Sequence, residues 1–209
     1  MSHYRSGKLP QSLHIIPLME KWEEFLKMTN PPNWTPNAFF EITRIFISKT
    51  ESERTLKFFS DYLLPRVMSD LRLGKKLNYH LFRSLQKGLY RPASWFRGIF
   101  SAFLSHPEAT IKQAQILAAV LMKTSFPSEH ACAVIQRCIQ SPFTGPLNVI
   151  LKILIEKKFA LPRKVISSLV DWFVSFQNNP SVKIMPVLWY EFLKSFLKLY
   201  GGKFNRSFK

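Results

Sequence analysis

The stretch KKLNYHLFRSLQKGLYRPASWFRGIF, Lys75 to Phe100, holds six lysines and arginines, one histidine and six aromatic residues, but no acid. Its apolar residues recur at intervals of three and four, the period of a helix with one buried face. On a helix from Lys76 to Leu89, turning about 100° per residue, Leu77, Leu81, Leu85 and Leu89 share one side with Phe82. Lys76, His80, Arg83 and Lys87 share the other. The leucines are expected in a core and the basic stripe in solvent, with no acid on that helix to pair with it. A solvated face normally mixes signs, and like charges at this spacing cost roughly a few tenths of a kcal/mol per pair. A phosphate backbone would turn that penalty into counterion release. Among the aromatics, Phe82, Phe96 and Phe100 are expected in the core. Tyr90 and Trp95 flank the RPAS junction and suit either core or surface.

The same period runs through the chain, and strand-like alternation is scarce. MEKWEEFLKM (19–28) reads as a short amphipathic helix. TPNAFFEITRIFI follows, with Thr35 as N-cap and Pro36 in the first helical position. TESERTLKFFSDYLL opens on a capping-box pattern, Thr50 to Glu53. Further helices are expected near 77–90, 92–105, 107–123, 127–140, 146–159, 162–177 and 186–200. Prolines mark the starts: Pro36, Pro92, Pro107, Pro127, Pro146, Pro162 and Pro186. Pro92, Pro127 and Pro162 stand 35 residues apart, and each opens a stretch holding two helices. Stacked helical hairpins give such a period. The predicted fold is therefore all-α, about ten helices in an irregular helical-repeat (HEAT/TPR-like) array. A compact irregular bundle is the alternative. Residues 1–14 read as a basic N-terminal arm, 15–200 as a single domain, and 201–209, GGKFNRSFK, as a basic C-terminal tail. SFQNNPSVKIMP (175–186) reads as a loop.

At 209 residues and 46% hydrophobic, the chain can bury a core. Its formal net charge is +17, which points to a polyanionic partner. The charge is uneven. Residues 1–70 carry nine Lys/Arg against eight Asp/Glu, and residues 71–209 carry 21 against five. A general bias towards lysine would not spare the first third. The two cysteines, Cys132 and Cys138, lie too far apart on a helix to bridge, so a reducing compartment is expected. No window approaches ~20 uncharged apolar residues, and no membrane partner is expected. The five histidines show no metal-ligand spacing, and the seven glycines form no phosphate-cradling loop. His130 and Cys132 sit two apart and point to different sides of a helix. No carboxylate pair is evident. No cofactor, metal or small-molecule substrate is expected.

A set of ordered motifs runs through the chain: YRSGKLP (4–10), IIP (15–17), WE (22–23), TRIF (43–46) and LLPRV (63–67). LNYHL (77–81), RPASWFRG (91–98), KKFALPRKV (157–165) and PVLWY (186–190) continue it. With these the sequence resembles the bystin family over nearly its whole length. The resemblance implies a non-enzymatic assembly factor of the small ribosomal subunit. Such proteins join nuclear precursors, are needed for processing of 18S rRNA, stay through export and leave late in the cytoplasm. They sit near the head and beak, on pre-rRNA and beside ribosomal proteins and other assembly factors. An all-helical, repeat-like fold is also implied. Family members usually carry a long polar extension before YRSGKLP, and this chain starts almost at that motif. It is expected to be a minimal version.

Together these readings give a non-catalytic scaffold that binds small-subunit pre-rRNA in nucleolus and nucleus and on late cytoplasmic precursors. Lys75, Lys76, Arg83, Lys87, Arg91 and Arg97 are expected to meet phosphates. Arg5 and Lys8 are expected on an arm that orders on a partner. Lys157, Lys158, Arg163 and Lys164 bracket a second basic junction, although a helix C-terminus favouring cations explains Lys157 and Lys158 nearly as well. The alternative is a protein–protein scaffold whose basic face meets acidic partners without touching RNA. The contacts expected are with backbone rather than base edges.

Overall fold

Helix starts in this chain are set by the residues just before them. Thr35 accepts the Ala38 N–H and Pro36 follows it, as expected, opening a helix that runs to Lys49. The structure, a computed structural model, describes residues 1–73, 76–106, 109–176 and 185–203. Among these residues every regular element is helical, and eleven helices are present. They are α1 (Gln11–Ile15), α2 (Trp22–Met28), α3 (Pro36–Lys49), α4 (52–73), α5 (Tyr79–Gly88), α6 (92–104), α7 (Ile111–Lys123), α8 (Ser128–Gln140), α9 (Gly145–Glu156), α10 (Arg163–Ser175) and α11 (Val187–Tyr200). The all-α expectation of about ten helices holds. No helix among the described residues is long and apolar enough to cross a membrane.

Several starts differ from the sequence reading. The expected Thr50–Glu53 capping box does not form. The Thr50 hydroxyl instead shares a hydrogen bond with Thr55 and donates to the Phe46 carbonyl, so it closes α3 rather than opening α4. A capping box forms at Thr110 and Gln113, where each side chain bonds the other's backbone. It starts α7 at Ile111, four residues after the expected Pro107, which lies outside the described residues. Pro92 opens its helix from inside the first turn, whereas Pro127, Pro162 and Pro186 stand one residue before it, at the N-cap. Asn78 caps α5 by accepting the His80 N–H. Leu77 and Lys76 therefore precede the helix.

The chain divides into two compact units, Met1–Pro107 and Glu108–Lys209. In the first, α3 packs along α5 and α4 along α6. Leu81, Leu85 and Leu89 of the opening stretch are buried, with Trp95, Phe96 and Phe100, while Phe82 is half-buried. The Phe46 and Phe58 rings stack 4.1 Å apart and join α3 to α4. Both α4 and α6 widen into a π-helical turn, at Phe59–Leu63 and Phe96–Phe100, and these turns touch. Gly98 lies at that crossing. A Cβ there would stand 2.8 Å from the Leu56 carbonyl oxygen, so only glycine lets the two backbones come this close.

In the second unit α9 lies between α7 and α11, and α8 packs on α10. Leu147, Ile150, Leu151, Leu154 and Ile155 of α9 are all buried, as a helix covered on several sides requires. An aromatic cluster, Trp172, Phe173, Trp189 and Phe192, ties α10 to α11. Cys132 and Cys138 are both free, and burial pushes the Cys138 thiol up to about 12. In both units, then, helices pair with the helix two further along. Stacked hairpins give that pairing, but the stacked segments share no visible sequence motif.

Candidate nucleic-acid interface

The corner between α5 and α6 positions the basic stripe. The Trp95 indole N–H donates to the Leu85 carbonyl at 3.1 Å. Its ring lies so close to Gly88 that a Cβ there would meet it at 2.8 Å. Arg91 turns inward: its Nε and Nη2 donate to the Ile47 carbonyl at 3.2 and 3.1 Å, and Nη2 also reaches the Thr50 carbonyl at 3.1 Å. These are carbonyls at the C-terminal end of α3, which lack helical partners and favour a cation. Arg91 is thus committed to holding the corner against α3.

The N-terminal segment is ordered on its own chain. The Thr35 hydroxyl donates to the Tyr4 carbonyl at 2.7 Å, and the Asn37 amide to the Arg5 carbonyl at 2.6 Å. Leu13 is buried, so the exposed arm is shorter than residues 1–14. Between this arm, α3 and the α5–α6 corner runs a groove of about 750 Å³. Lys8, Arg44, Lys49 and Lys87 line it, with His14 and Tyr90. Its one carboxylate, Glu41, is bonded to Arg44 at 2.8 Å. Lys8 and Lys87 are far apart in sequence and meet only here.

The other expected residues fall in several places. Lys75 lies outside the described residues, and Lys76 is exposed. Arg83 is exposed with its guanidinium 4.4 Å from the centre of the Phe40 ring. Arg97 pairs with Glu53 at 3.2 Å on the surface. In the second unit Lys157 repeats the role of Arg91. Its ammonium donates to the Thr124 carbonyl at 2.8 Å and the Met122 carbonyl at 3.4 Å, at the C-terminal end of α7, and burial lowers its pKa. Lys157 follows the end of α9, yet the helix whose carbonyls it meets is α7. Lys158 is exposed and has a left-handed backbone, φ 58°. Arg163 and Lys164 are exposed in the first turn of α10, at the end of the helix dipole that disfavours cations.

Sequence reading missed Lys49 and Arg44. Both lie on α3, in the nearly neutral first third, and only the fold brings them beside α5. Two other concavities differ in character. One, near α2 and α4, is lined by Lys27 and Arg66 against Asp61, with three prolines. The other, between α10 and α11, is apolar, lined by Val170, Phe173, Val174, Leu193, Phe196 and Leu197. Among the described residues no cluster of His, Cys, Asp or Glu could hold a metal ion.

Fold and surface define an all-helical, strongly basic protein whose long helices pair in steps of two. The chain belongs to the Bystin family, whose family model matches residues 1–208. It is 36% identical over 200 residues to Bystin of Homo sapiens, which covers 96% of this chain and 45% of that protein. Against Bystin of Arabidopsis thaliana it is 35% identical over 200 residues, covering 96% and 45%. Against Bystin of Dictyostelium discoideum it is 37% identical over 207 residues, covering 99% and 43%. The chain spans a little under half the length of these relatives.

Proposed function

We propose that this protein is a non-catalytic assembly factor that binds precursors of the small ribosomal subunit and supports maturation of their rRNA. The observation that carries this reading is the groove of the first unit, where four cations from three separate segments converge against one carboxylate. A duplex or single strand of RNA would release counterions from such a surface, and binding would fall steeply with salt. Membership of the Bystin family supports the ribosomal setting, and with it a place in nucleolus, nucleus and late cytoplasmic precursors. Arg163 and Lys164, exposed on the second unit, would offer phosphate contacts of their own. The mechanism is positional: the helices hold a stretch of pre-rRNA in place until release, while other faces meet ribosomal proteins and assembly factors. The helical-repeat architecture belongs to the same proposal.

The test is crosslinking and sequencing of RNA bound to the tagged protein in its own cells. Wild type is compared with Lys8→Glu/Lys49→Glu/Lys87→Glu. Crosslinks on a compact region of small-subunit pre-rRNA, lost in a folded triple variant, are expected. A second reading is a protein scaffold without RNA contact. The half-exposed Val174 and Leu197 beside the apolar furrow favour it. It predicts co-purifying assembly factors with no crosslink above background.

A further inference from the structure

Tyr90 is an exposed ring on a fixed corner. It is 69% exposed, yet its backbone is held on both sides. Its own N–H donates to the Lys87 carbonyl at 3.1 Å, and the next residue, Arg91, is anchored on the end of α3. Trp95 locked onto Gly88 and Leu85 fixes the other side of the turn. The Lys87 ammonium sits 3.7 Å from the centre of the Tyr90 ring and covers one face. At this exposure the opposite face meets solvent. The ring also forms part of the groove wall with Lys8 and Lys49.

An open aromatic face beside a cationic channel is how proteins hold unpaired nucleic acid. The ring stacks a base, which any base permits, and the cations follow the backbone. A duplex offers phosphates to the same cations, but its bases are already stacked and cannot reach the ring. We infer that the groove takes unpaired RNA, with a base stacked on Tyr90 and the neighbouring phosphates on Lys8 and Lys49. The inference rests on the RNA-binding reading above and narrows it to single strands. Tyr79 provides an internal control. It is 66% exposed, stands at the other end of α5 beside Arg83, and does not line the groove.

The experiment measures fluorescence anisotropy of labelled RNA with the full 209-residue chain, using an oligouridine of about twelve nucleotides and a duplex of equal length. Tyr90→Ala is expected to weaken oligouridine binding about ten- to a hundredfold, with duplex binding unchanged. Tyr90→Phe, which keeps the ring, and Tyr79→Ala are expected to bind oligouridine like wild type. The inference falls if Tyr90→Ala binds oligouridine as wild type does, or weakens the duplex equally, or if Tyr79→Ala loses as much. In each of those cases retained RNA binding leaves the broader reading standing. If neither RNA binds the wild-type chain, both fall together.

Discussion

Arg91 and Lys157 show how one residue type can serve two ends. Both are expected at phosphates, Arg91 from the acid-free stretch 75–100 and Lys157 from a basic helix junction. Each instead donates to carbonyls at or beyond the end of a neighbouring helix. Nothing in the local sequence separates a cation that caps a distant helix from one that faces solvent, because the acceptor lies 33 to 44 residues away. Arg91→Ala leaves the Ile47 and Thr50 carbonyls unsatisfied, and about 2–3 kcal/mol of stability should be lost. A urea titration measures this, with the midpoint shifting and the slope unchanged. Cys138 gives a pH dependence of definite sign. Its thiol rises from 9.0 in water to about 12 when buried in α8. The folded state keeps its proton where the unfolded state has lost it. The contribution is therefore complete below pH 9 and lost as pH climbs from 9 towards 12. Burial raises Tyr62 and Tyr200 in the same direction, while the lowered Lys157 opposes them. Urea midpoints should stay level to about pH 9 and then fall, and less so in Cys138→Ala once its own loss of packing is subtracted.

Among elements, the legible ones carry their signals within a few residues. Thr35–Pro36 opens α3 as read, and the leucine stripe lies in the core at Leu81 and Leu85 of α5 and at Leu89 just past its end. The errors came from signals that serve two helices. Thr50 stands between α3 and α4 and bonds backward, so its pattern with Glu53 misled. The true box at Thr110 was hidden by the expectation that Pro107 began the helix. Lys76 fell off the stripe because Asn78 starts α5 later than the leucine period suggests. Thr110→Ala should cost about 1 kcal/mol, the usual loss for a missing cap. Gly98→Ala should cost more, although alanine is the better helix former. Its Cβ would strike the Leu56 carbonyl oxygen at 2.8 Å, and backbone must move. Overpacking of that kind costs about 1–3 kcal/mol. Thermal melts of the two variants against wild type would rank them, and a Gly98→Ala protein as stable as wild type would mean α4 and α6 are not held this close.

The whole molecule is set by its charge. The acid-poor region begins at Leu71, inside the first compact unit, so the boundary in charge is not the boundary in structure. Residues 1–107 carry sixteen Lys/Arg against eight Asp/Glu, and residues 108–209 carry fourteen against five. Each unit is therefore basic by itself, although the first third of the sequence looks neutral. That neutrality concealed Lys49 and Arg44, which contribute half of the groove's cations. Ion pairs such as Lys57–Glu23 and Arg97–Glu53 are exposed and worth little. The +17 is what remains after every acid is counted, so no ion pair offsets it, and self-repulsion should weaken the folded chain at low ionic strength. Salt acts by screening beyond about 8–10 Å, so the melting temperature should rise from low to physiological ionic strength. Single-stranded RNA should raise it further at constant salt, since a hundredfold excess over Kd adds about 2.7 kcal/mol to the stability of the folded chain. The increment should shrink in Lys8→Glu/Lys49→Glu/Lys87→Glu while the response to salt persists. Calorimetry would record both effects in one series and would also test the single-domain expectation for 15–200. One shared transition, moved as a whole by Gly98→Ala, is the expected result. Two transitions, of which only one moves, would divide the chain at its two units. A melting temperature indifferent to salt would mean that the excess cations stand too far apart on the surface to repel one another measurably, and the case for a concentrated basic face and a polyanionic partner would lose its foundation.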